Sequence, residues 1–402
     1  MKYLILGGGP AGLTLANSFL QCGEKDFLLL EKEDEVGGLC RSKIIDEAPL
    51  DIGGGHFLDT KRTQVCEFLF QFLPQAEWSW YERNSKIRYK DTLLDHPFES
   101  NIWQMKVDDQ VAFLKSVAQA GCNSGKVKPE RFVEWISWKL GTKIAEEYML
   151  PYNRKMFGAD LNELGTYWLE KLPNVSFEDT LWSCLTHRAY GQEPGHSTFY
   201  YPKKYGYGEV WLRMGGYLGE RLLCGKTAVW IDLEKRQVGV QDGAVYQADV
   251  IITTVPWRSF QMIRGLSENM QKDVQTLKHS AVCIDYNGEN LDTDAQWIYN
   301  PDPGVPYHRL LLRHNFAEGS KGHWTETNLD RAQQTSSIRF VNEYAYPLNT
   351  LQKPAIMERL LSYAQMHGVY GLGRWGEHCH YNSDVTVEKA MGLADMLLKR
   401  AL

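Results

Sequence analysis

The chain opens on residue types suited to holding a phosphate. Gly7-Gly8-Gly9-Pro10-Ala11-Gly12 satisfies G-x-G-x-x-G directly after the apolar run Tyr3 to Leu6. In that pattern Gly7 permits a tight turn, Gly9 lets a pyrophosphate approach the backbone, and Gly12 lets helix and strand pack closely. With Pro10 and Ala11 opening a helix, free N–H groups and the positive dipole end face the diphosphate. Glu31 lies 19 residues past Gly12, with Lys32 after it. A carboxylate at that distance accepts the hydrogen bonds of a ribose diol. Gly37-Gly38-Leu39-Cys40-Arg41 then offers backbone donors and a guanidinium for a second phosphate. Asp51-Ile52-Gly53-Gly54-Gly55-His56 offers a turn on which a flat ring can lie, with Gly54 beneath it and His56 at its face. Far downstream, Gly373-Arg374 precedes a last helix whose N-terminus, near Asp384, would face the same ring.

These residues need elements to position them. Lys2 to Leu6 reads as a buried strand, Pro10 to Cys22 as a helix with Leu13, Ala16 and Leu20 on one face, and Asp26 to Leu30 as a second strand. Strand, glycine turn, helix and strand make a βαβ unit. A helix after Asp59 is signalled by Val65, Phe68, Leu69 and Phe72. Val107 to Leu150 is mainly helical; Pro129 suits a first turn ahead of the stripe Phe132, Trp135, Ile136 and Leu140. Val210 to Leu223 reads as a helix, followed by strands over Ala228 to Leu233, Gln237 to Gln241 and Val250 to Val255. Residues 280 to 345 are strand-rich, and Val369 to Leu372 is a short strand. Asp384 is placed to cap a closing helix whose apolar face is Val387, Met391, Ala394 and Leu398. The first and last stretches therefore share a discontinuous domain.

Composition narrows the class. A length of 402 residues suits two or three domains, and 43% hydrophobic with 23% charged residues is ordinary for a folded protein. The net charge, 44 − 50 = −6, argues against nucleic acid or an anionic membrane as partner. Eight cysteines without a two-residue spacing predict reduced thiols in a cytoplasm. The N-terminus does not read as a signal peptide, and no apolar run approaches the roughly 20 residues of a membrane span. His378-Cys379-His380 with Glu377 lacks a third ligand on one face, so no metal is expected.

The four blocks around Gly7, Gly37, Gly54 and Gly373 resemble the FAD-binding domain shared by amine oxidases, protoporphyrinogen oxidases, carotenoid desaturases, UDP-galactopyranose mutases and Rab GDP-dissociation inhibitors. Likeness to the mutases runs nearly the full length. Tyr152-Asn153-Arg154-Lys155-Met156-Phe157-Gly158 is similar to their Tyr-Asn/Thr-x-Lys-x-Trp-Gly, and Tyr200 to Glu209 to their Pro-(Lys)-Gly-Gly stretch. Pro306-Tyr307-His308-Arg309 resembles Pro-Tyr-Thr-Arg; Glu343 to Pro347 resembles Glu-Pro-Tyr-Tyr-Pro; Gly373 to Tyr381 resembles Gly-Arg-(Leu)-x-Glu-Tyr-x-Tyr-Tyr. The resemblance implies an α/β flavoprotein: a discontinuous Rossmann-like FAD-binding domain (1–75, 205–262, 365–402), a helical domain (99–172) and a mixed-sheet substrate domain (76–98, 173–204, 263–364). It also implies a non-redox isomerisation of a nucleotide sugar, pyranose to furanose, in surface polysaccharide synthesis, with N5 of reduced FAD as nucleophile. NADPH or NADH are the candidate reductants, and a homodimer is the candidate assembly.

By the same resemblance FAD rests on Gly7, Gly9, Pro10, Ala11, Gly12, Glu31, Lys32, Gly37, Gly38, Leu39, Arg41, Gly54, His56, Gly373, Arg374 and Asp384, with His56 and Arg374 at the reacting ring. Tyr152, Phe157, Lys171, Arg309, Tyr346 and His380 are expected around the sugar nucleotide. The chain also departs from the pattern. Mutases place two arginines on the diphosphate; here Arg309 stands for one, and Lys171, a point charge where the family has a fork, stands for the other, with Arg313 and Arg339 as alternatives. The family tryptophan is Phe157, and two late tyrosines are His378 and His380. Two rival readings stay open: a flavin oxidase or dehydrogenase, and a non-catalytic binder on the same fold.

Overall fold

A computed structural model describes residues 1–169, 176–191, 195–333 and 336–399. The chain forms two compact units, one of Met1–Trp80, Tyr200–Lys278 and Gln352–Leu402, the other of Tyr81–Phe199 and His279–Leu351.

The first unit is built on a parallel five-stranded sheet in the order Leu222–Leu223, Phe27–Leu30, Tyr3–Leu6, Val250–Thr253, Val369–Gly371. Tyr3 to Leu6 is apolar at every position because both faces are covered. The helix Pro10–Gln21 is buried from Ala11 through Phe19 and packs against the closing helix Ser383–Lys399, so its apolar residues extend well beyond one stripe. A second sheet, Val245–Gln247, Gln237–Val240, Ala228–Asp232 and Met262–Arg264, joins it through a core that includes Leu4, Ile231, Val238, Ile251, Trp257 and Leu360. Two expectations change here. The helix placed at Val210 to Leu223 runs only over Gly208–Gly216, because Gly215, Gly216 and a left-handed Gly219 end it, and Leu222–Leu223 instead pairs with Leu29 and Leu30 at the sheet edge. Asp384 lies inside the first turn of the last helix and not at its cap, with its carboxylate 2.9 Å from Arg62 Nε.

The second unit holds a mixed seven-stranded sheet: Arg339–Pro347, His279–Asn287, His323–Asn328, Arg309–Leu311, Trp297–Tyr299, Ser85–Tyr89 and Thr92–Asp95. Only the Trp297–Tyr299 and Ser85–Tyr89 pair is parallel. Helices Val107–Gly121, Phe132–Leu140, Leu150–Phe157 and Phe177–Thr186 belong to the same unit. Pro129 lies ahead of the Phe132 helix, whose N-cap is Arg131. Helices and sheet, expected as separate domains, share one core here: Ile87, Tyr89 and Leu94 from the strands meet Phe113, Phe132 and Ile136 from the helices. Among the described residues no helix is long and apolar enough to cross a membrane.

Phe113 is fully buried, edge-on to Tyr89 and Phe98. Phe113→Ala is expected to cost about 3–5 kcal/mol by cavity formation. Val127→Ala, at a position 93% exposed, is expected to stay within about 0.5 kcal/mol. Urea denaturation followed by tryptophan fluorescence separates the two.

Candidate functional site

In the first unit two glycine turns meet. Gly7, at φ +100°, receives its place from a 2.7 Å bond of its N–H to Leu30 O. A Cβ on Gly12 would stand 2.0 Å from Gly7 O, so the helix can begin this close to the strand only without a side chain. A Cβ on Gly38 would stand 3.2 Å from Gly9 Cα, and Gly37 N–H donates to Gly8 O at 2.8 Å. The result is a backbone-lined cradle at an uncapped helix start, with no acidic residue in the first turn and Pro10 at its opening. Such a surface suits a diphosphate.

The charged residues around the cradle are largely committed. Glu31, buried at the end of its strand, accepts from Gly8 N–H at 2.6 Å and from Glu33 N–H at 2.9 Å. Arg41 donates through Nε to Gly38 O at 3.0 Å and pairs with Glu33 at 3.4 Å. Lys32 is exposed and pairs with the same Glu33 at 3.3 Å. Leu39 is half-buried, and its carbonyl oxygen would lie 1.8 Å from a Cβ on Gly53. That contact makes Gly53 obligatory in the following turn.

The turn after Gly53 rests on Asp51, which sequence reasoning did not single out. Its fully buried carboxylate accepts from Ser42 Oγ at 2.5 Å, Tyr207 N–H at 3.1 Å and Tyr201 OH at 3.2 Å. Burial pushes its pKa up to about 7 against the pull of those bonds. Gly54, at φ +98°, presents its carbonyl to His56 Nδ1 at 2.8 Å, and the His56 ring stacks on Tyr207 at 6.0 Å. Gly373, at φ +75°, would meet Ala11 Cβ at 2.8 Å if it carried a Cβ, so the last block abuts the first. Arg374 donates twice to Tyr381 O, at 3.0 and 2.7 Å. Its charge opposes the upward push that burial exerts on the Cys40 thiol. His378 is buried, with Nε2 3.0 Å from Lys278 O; His380 is half-buried in the same segment.

The second unit gathers Tyr152, Tyr299, Arg309 and Tyr346. Tyr299, Arg309 and Glu326 lie opposite one another on three adjacent strands, which puts their side chains on one face. Arg309 donates to Glu326 Oε2 through Nε at 2.7 Å and through its NH2 group at 2.6 Å. Burial works against that guanidinium's charge, but Glu326 and the phenols of Tyr346, Tyr152 and Tyr299 more than offset it and hold its pKa above the usual value. The Tyr152 ring packs edge-on to Tyr299 at 5.6 Å and to His308 at 6.0 Å, and burial raises its hydroxyl pKa. Beneath them lies Lys155, 1% exposed, donating to Asn300 O at 2.8 Å and Asp302 O at 2.7 Å. Burial pushes its pKa down to about 7. This lysine was legible only as a motif letter.

Other expected site residues lie elsewhere. Phe157 is buried edge-on to Trp168 at 6.2 Å and serves the core, where a phenyl replaces the larger indole of the family pattern. Arg313 is wholly buried on Lys321 O and Tyr286, and Arg339 pairs with Asp285 at 2.6 Å; both are structural. Lys171 lies outside the described residues.

Asp51 gives the first unit a signed pH dependence. A carboxyl whose pKa rises on folding stabilises the folded state most below its unfolded value, near 3.9, and that contribution is lost as pH climbs through about 7. Asp51→Asn, neutral throughout, should therefore gain in melting temperature relative to wild type as pH rises from 4 to 7, with the gain level above 8. Differential scanning calorimetry across that range checks the sign.

Comparison with known proteins agrees with this geometry. The family model of the NAD(P)-binding Rossmann-like domain matches residues 5–72. A protein of Methanothermococcus thermolithotrophicus, described only as lying in the nifH2 3' region, is 51% identical over 53 residues, 13% of this chain and 50% of its own. UDP-galactopyranose mutase of Mycoplasma genitalium is 27% identical over 162 residues, 39% of each chain. These matches span half or less of either relative. Among solved structures, reduced UDP-galactopyranose mutase superposes with a TM-score of 0.88 at 21% identity, covering 99% of this chain and 94% of that one. Putrescine oxidase bound to putrescine superposes with a TM-score of 0.65 at 12% identity, covering 99% of both. The chain is thus similar in fold to UDP-galactopyranose mutase, an α/β protein with a Rossmann-like segment over residues 5–72.

Proposed function

We propose that this chain is an FAD-dependent nucleotide-sugar mutase that interconverts pyranose and furanose forms, serving surface polysaccharide synthesis. The observation that carries the reading is Arg309 set among three phenols, Tyr152, Tyr299 and Tyr346, on one unit of the chain. Guanidinium and phenol donors suit a diphosphate leaving group. The other unit fits FAD: its two glycine turns approach to a distance that a side chain would fill. Gly7, Gly9, Pro10, Ala11, Gly12, Gly37 and Gly38 would hold the diphosphate by backbone, and Glu31 the adenosine ribose. Reduced FAD would supply the nucleophile toward the anomeric carbon.

The chain's own residues carry the rest. Asp51 anchors the Gly53–Gly55 turn by its bonds to Ser42, Tyr201 and Tyr207, and so fixes where His56 presents its ring. Arg374, held by Tyr381 O, keeps a positive charge beside Cys40 and would favour electron-rich flavin there. Arg309 and the three phenols would hold the diphosphate while the sugar ring opens and recloses, which keeps the leaving group in place for its return. The same reading puts the enzyme in the cytoplasm, where its eight unpaired cysteines stay reduced.

Purified protein is expected to carry flavin absorbance, and Gly38→Val to lose most of it, because the new side chain would push into Gly9 at a residue of φ +55°. The activity is tested anaerobically on a panel of nucleotide sugars, half with dithionite-reduced and half with oxidised protein, products being resolved by anion exchange. An isomer of unchanged mass formed only by the reduced half supports the mutase. Flavin bleaching in the oxidised half, with a product two hydrogens lighter, assigns the chain to the oxidoreductases, the reading that the likeness to putrescine oxidase favours.

A further inference from the structure

Arg309 is a half-buried cation whose charge is already neutralised. Both of its Glu326 bonds fall on one oxygen of a carboxylate that is 1% exposed, and the pair together brings no net charge to a ligand. A second guanidinium, beside one of those phenols, is in a different state. Arg83 lies just ahead of the strand Ser85–Tyr89, its guanidinium 5.1 Å from the Trp297 ring centroid. It donates to Ser85 Oγ at 2.8 Å, Gly195 O at 2.6 Å and Tyr299 OH at 3.1 Å. All three acceptors are neutral, and among the described residues no carboxylate pairs with it. Three of the five guanidinium N–H donors are thus used.

Tyr299 extends that cation toward Arg309. Its oxygen accepts from Arg83 and also from Trp297 Nε1 at 3.1 Å. Both lone pairs of the phenol are then occupied, and its own O–H is a donor that no described acceptor receives. Tyr299 stands directly across the sheet from Arg309 and edge-on to Tyr152. His96, 5.2 Å from the Tyr299 ring, has its Nδ1 buried and unpartnered. Burial first and Arg83 second hold its pKa well below the usual range, so the imidazole adds no competing charge.

We infer that Arg83, acting directly and through the Tyr299 hydroxyl, is the net positive anchor for an anionic ligand in the second unit, with Arg309 supplying hydrogen-bond geometry on an already neutralised pair. The inference deepens the proposed function, because a nucleotide diphosphate is the anion that reading calls for. Sequence patterns did not point to Arg83; it shares no motif with Arg309 and is joined to it only across the sheet.

The test is isothermal titration calorimetry of the full-length protein with UDP and, separately, with inorganic pyrophosphate, each at low and high ionic strength. Arg83→Gln should weaken both by roughly tenfold or more, the scale of one charge-assisted bond, and should flatten the salt dependence. Arg83→Lys should keep the salt dependence while losing part of the affinity. Tyr299→Phe, which removes the unmatched hydroxyl and keeps the ring packing, should weaken both ligands several-fold, and it decides the matter if Arg83→Gln does not fold. Wild-type affinity and salt dependence in Arg83→Gln, or wild-type affinity in Tyr299→Phe, overturns the inference. So does a wild-type protein that binds neither ligand. Arg83-dependent binding of pyrophosphate with no binding of UDP supports the anchor while removing the nucleotide reading.

Discussion

The contact on which the first unit depends is the absence of an atom. Gly12 sits where a Cβ would come within 2.0 Å of the Gly7 carbonyl, so the helix Pro10–Gln21 leaves the sheet at a distance no other residue permits. That closeness sets the helix against the strand Tyr3–Leu6, leaves its first-turn N–H groups uncapped, and leaves room for Gly38 to rest on Gly9. Gly373 repeats the device from the far end of the chain, fitting against Ala11 where a side chain would clash. Three segments, one of them from the far end of the chain, thus converge on one backbone surface because each lacks a side chain where they meet.

Around that surface the polar side chains serve the protein before they serve a ligand. Glu31 closes the glycine turn through Gly8 N–H, Arg41 ties down Gly38 O, and Arg374 is spent on Tyr381 O. Buried donors and acceptors left unmatched cost about 1–3 kcal/mol each, so a preformed anion site is stable only if its scaffold is internally satisfied. Asp51 is the extreme case, a carboxylate wholly inside the unit and held by a hydroxyl, a phenol and backbone N–H. The second unit follows the same rule, with Glu326 meeting Arg309 and Lys155 meeting the carbonyls of Asn300 and Asp302. The rule relaxes at several buried atoms, and one of them, His96 Nδ1, lies with the Tyr299 hydroxyl beside Arg83.

The βαβ unit, the glycine blocks and most elements were legible, because local sequence dictates them: an apolar four-residue run for a doubly covered strand, a 3.6-residue stripe for Phe132–Leu140. Leu222–Leu223 was misread because its apolar pair continues a helical pattern that Gly215, Gly216 and Gly219 interrupt, and only pairing with Leu29 and Leu30 makes it a strand. Phe157 occupies the motif position of a site residue, yet Trp168 claims its face for the core. Arg313 and Arg339 offered themselves as cations by type, and their acceptors decided otherwise.

The sequence alone determined that this chain carries glycine turns of the kind that receive a dinucleotide phosphate and that it belongs among α/β folds, since those properties follow from residue type at short spacing. Only the tertiary structure decided which charges are spent and which remain. Whether an arginine is neutralised depends on what lies opposite it across a sheet, and Arg309 meets Glu326 while Arg83 meets only neutral oxygens. Arg83 and Tyr299 stand 216 positions apart in the chain, and no local pattern encodes their pairing.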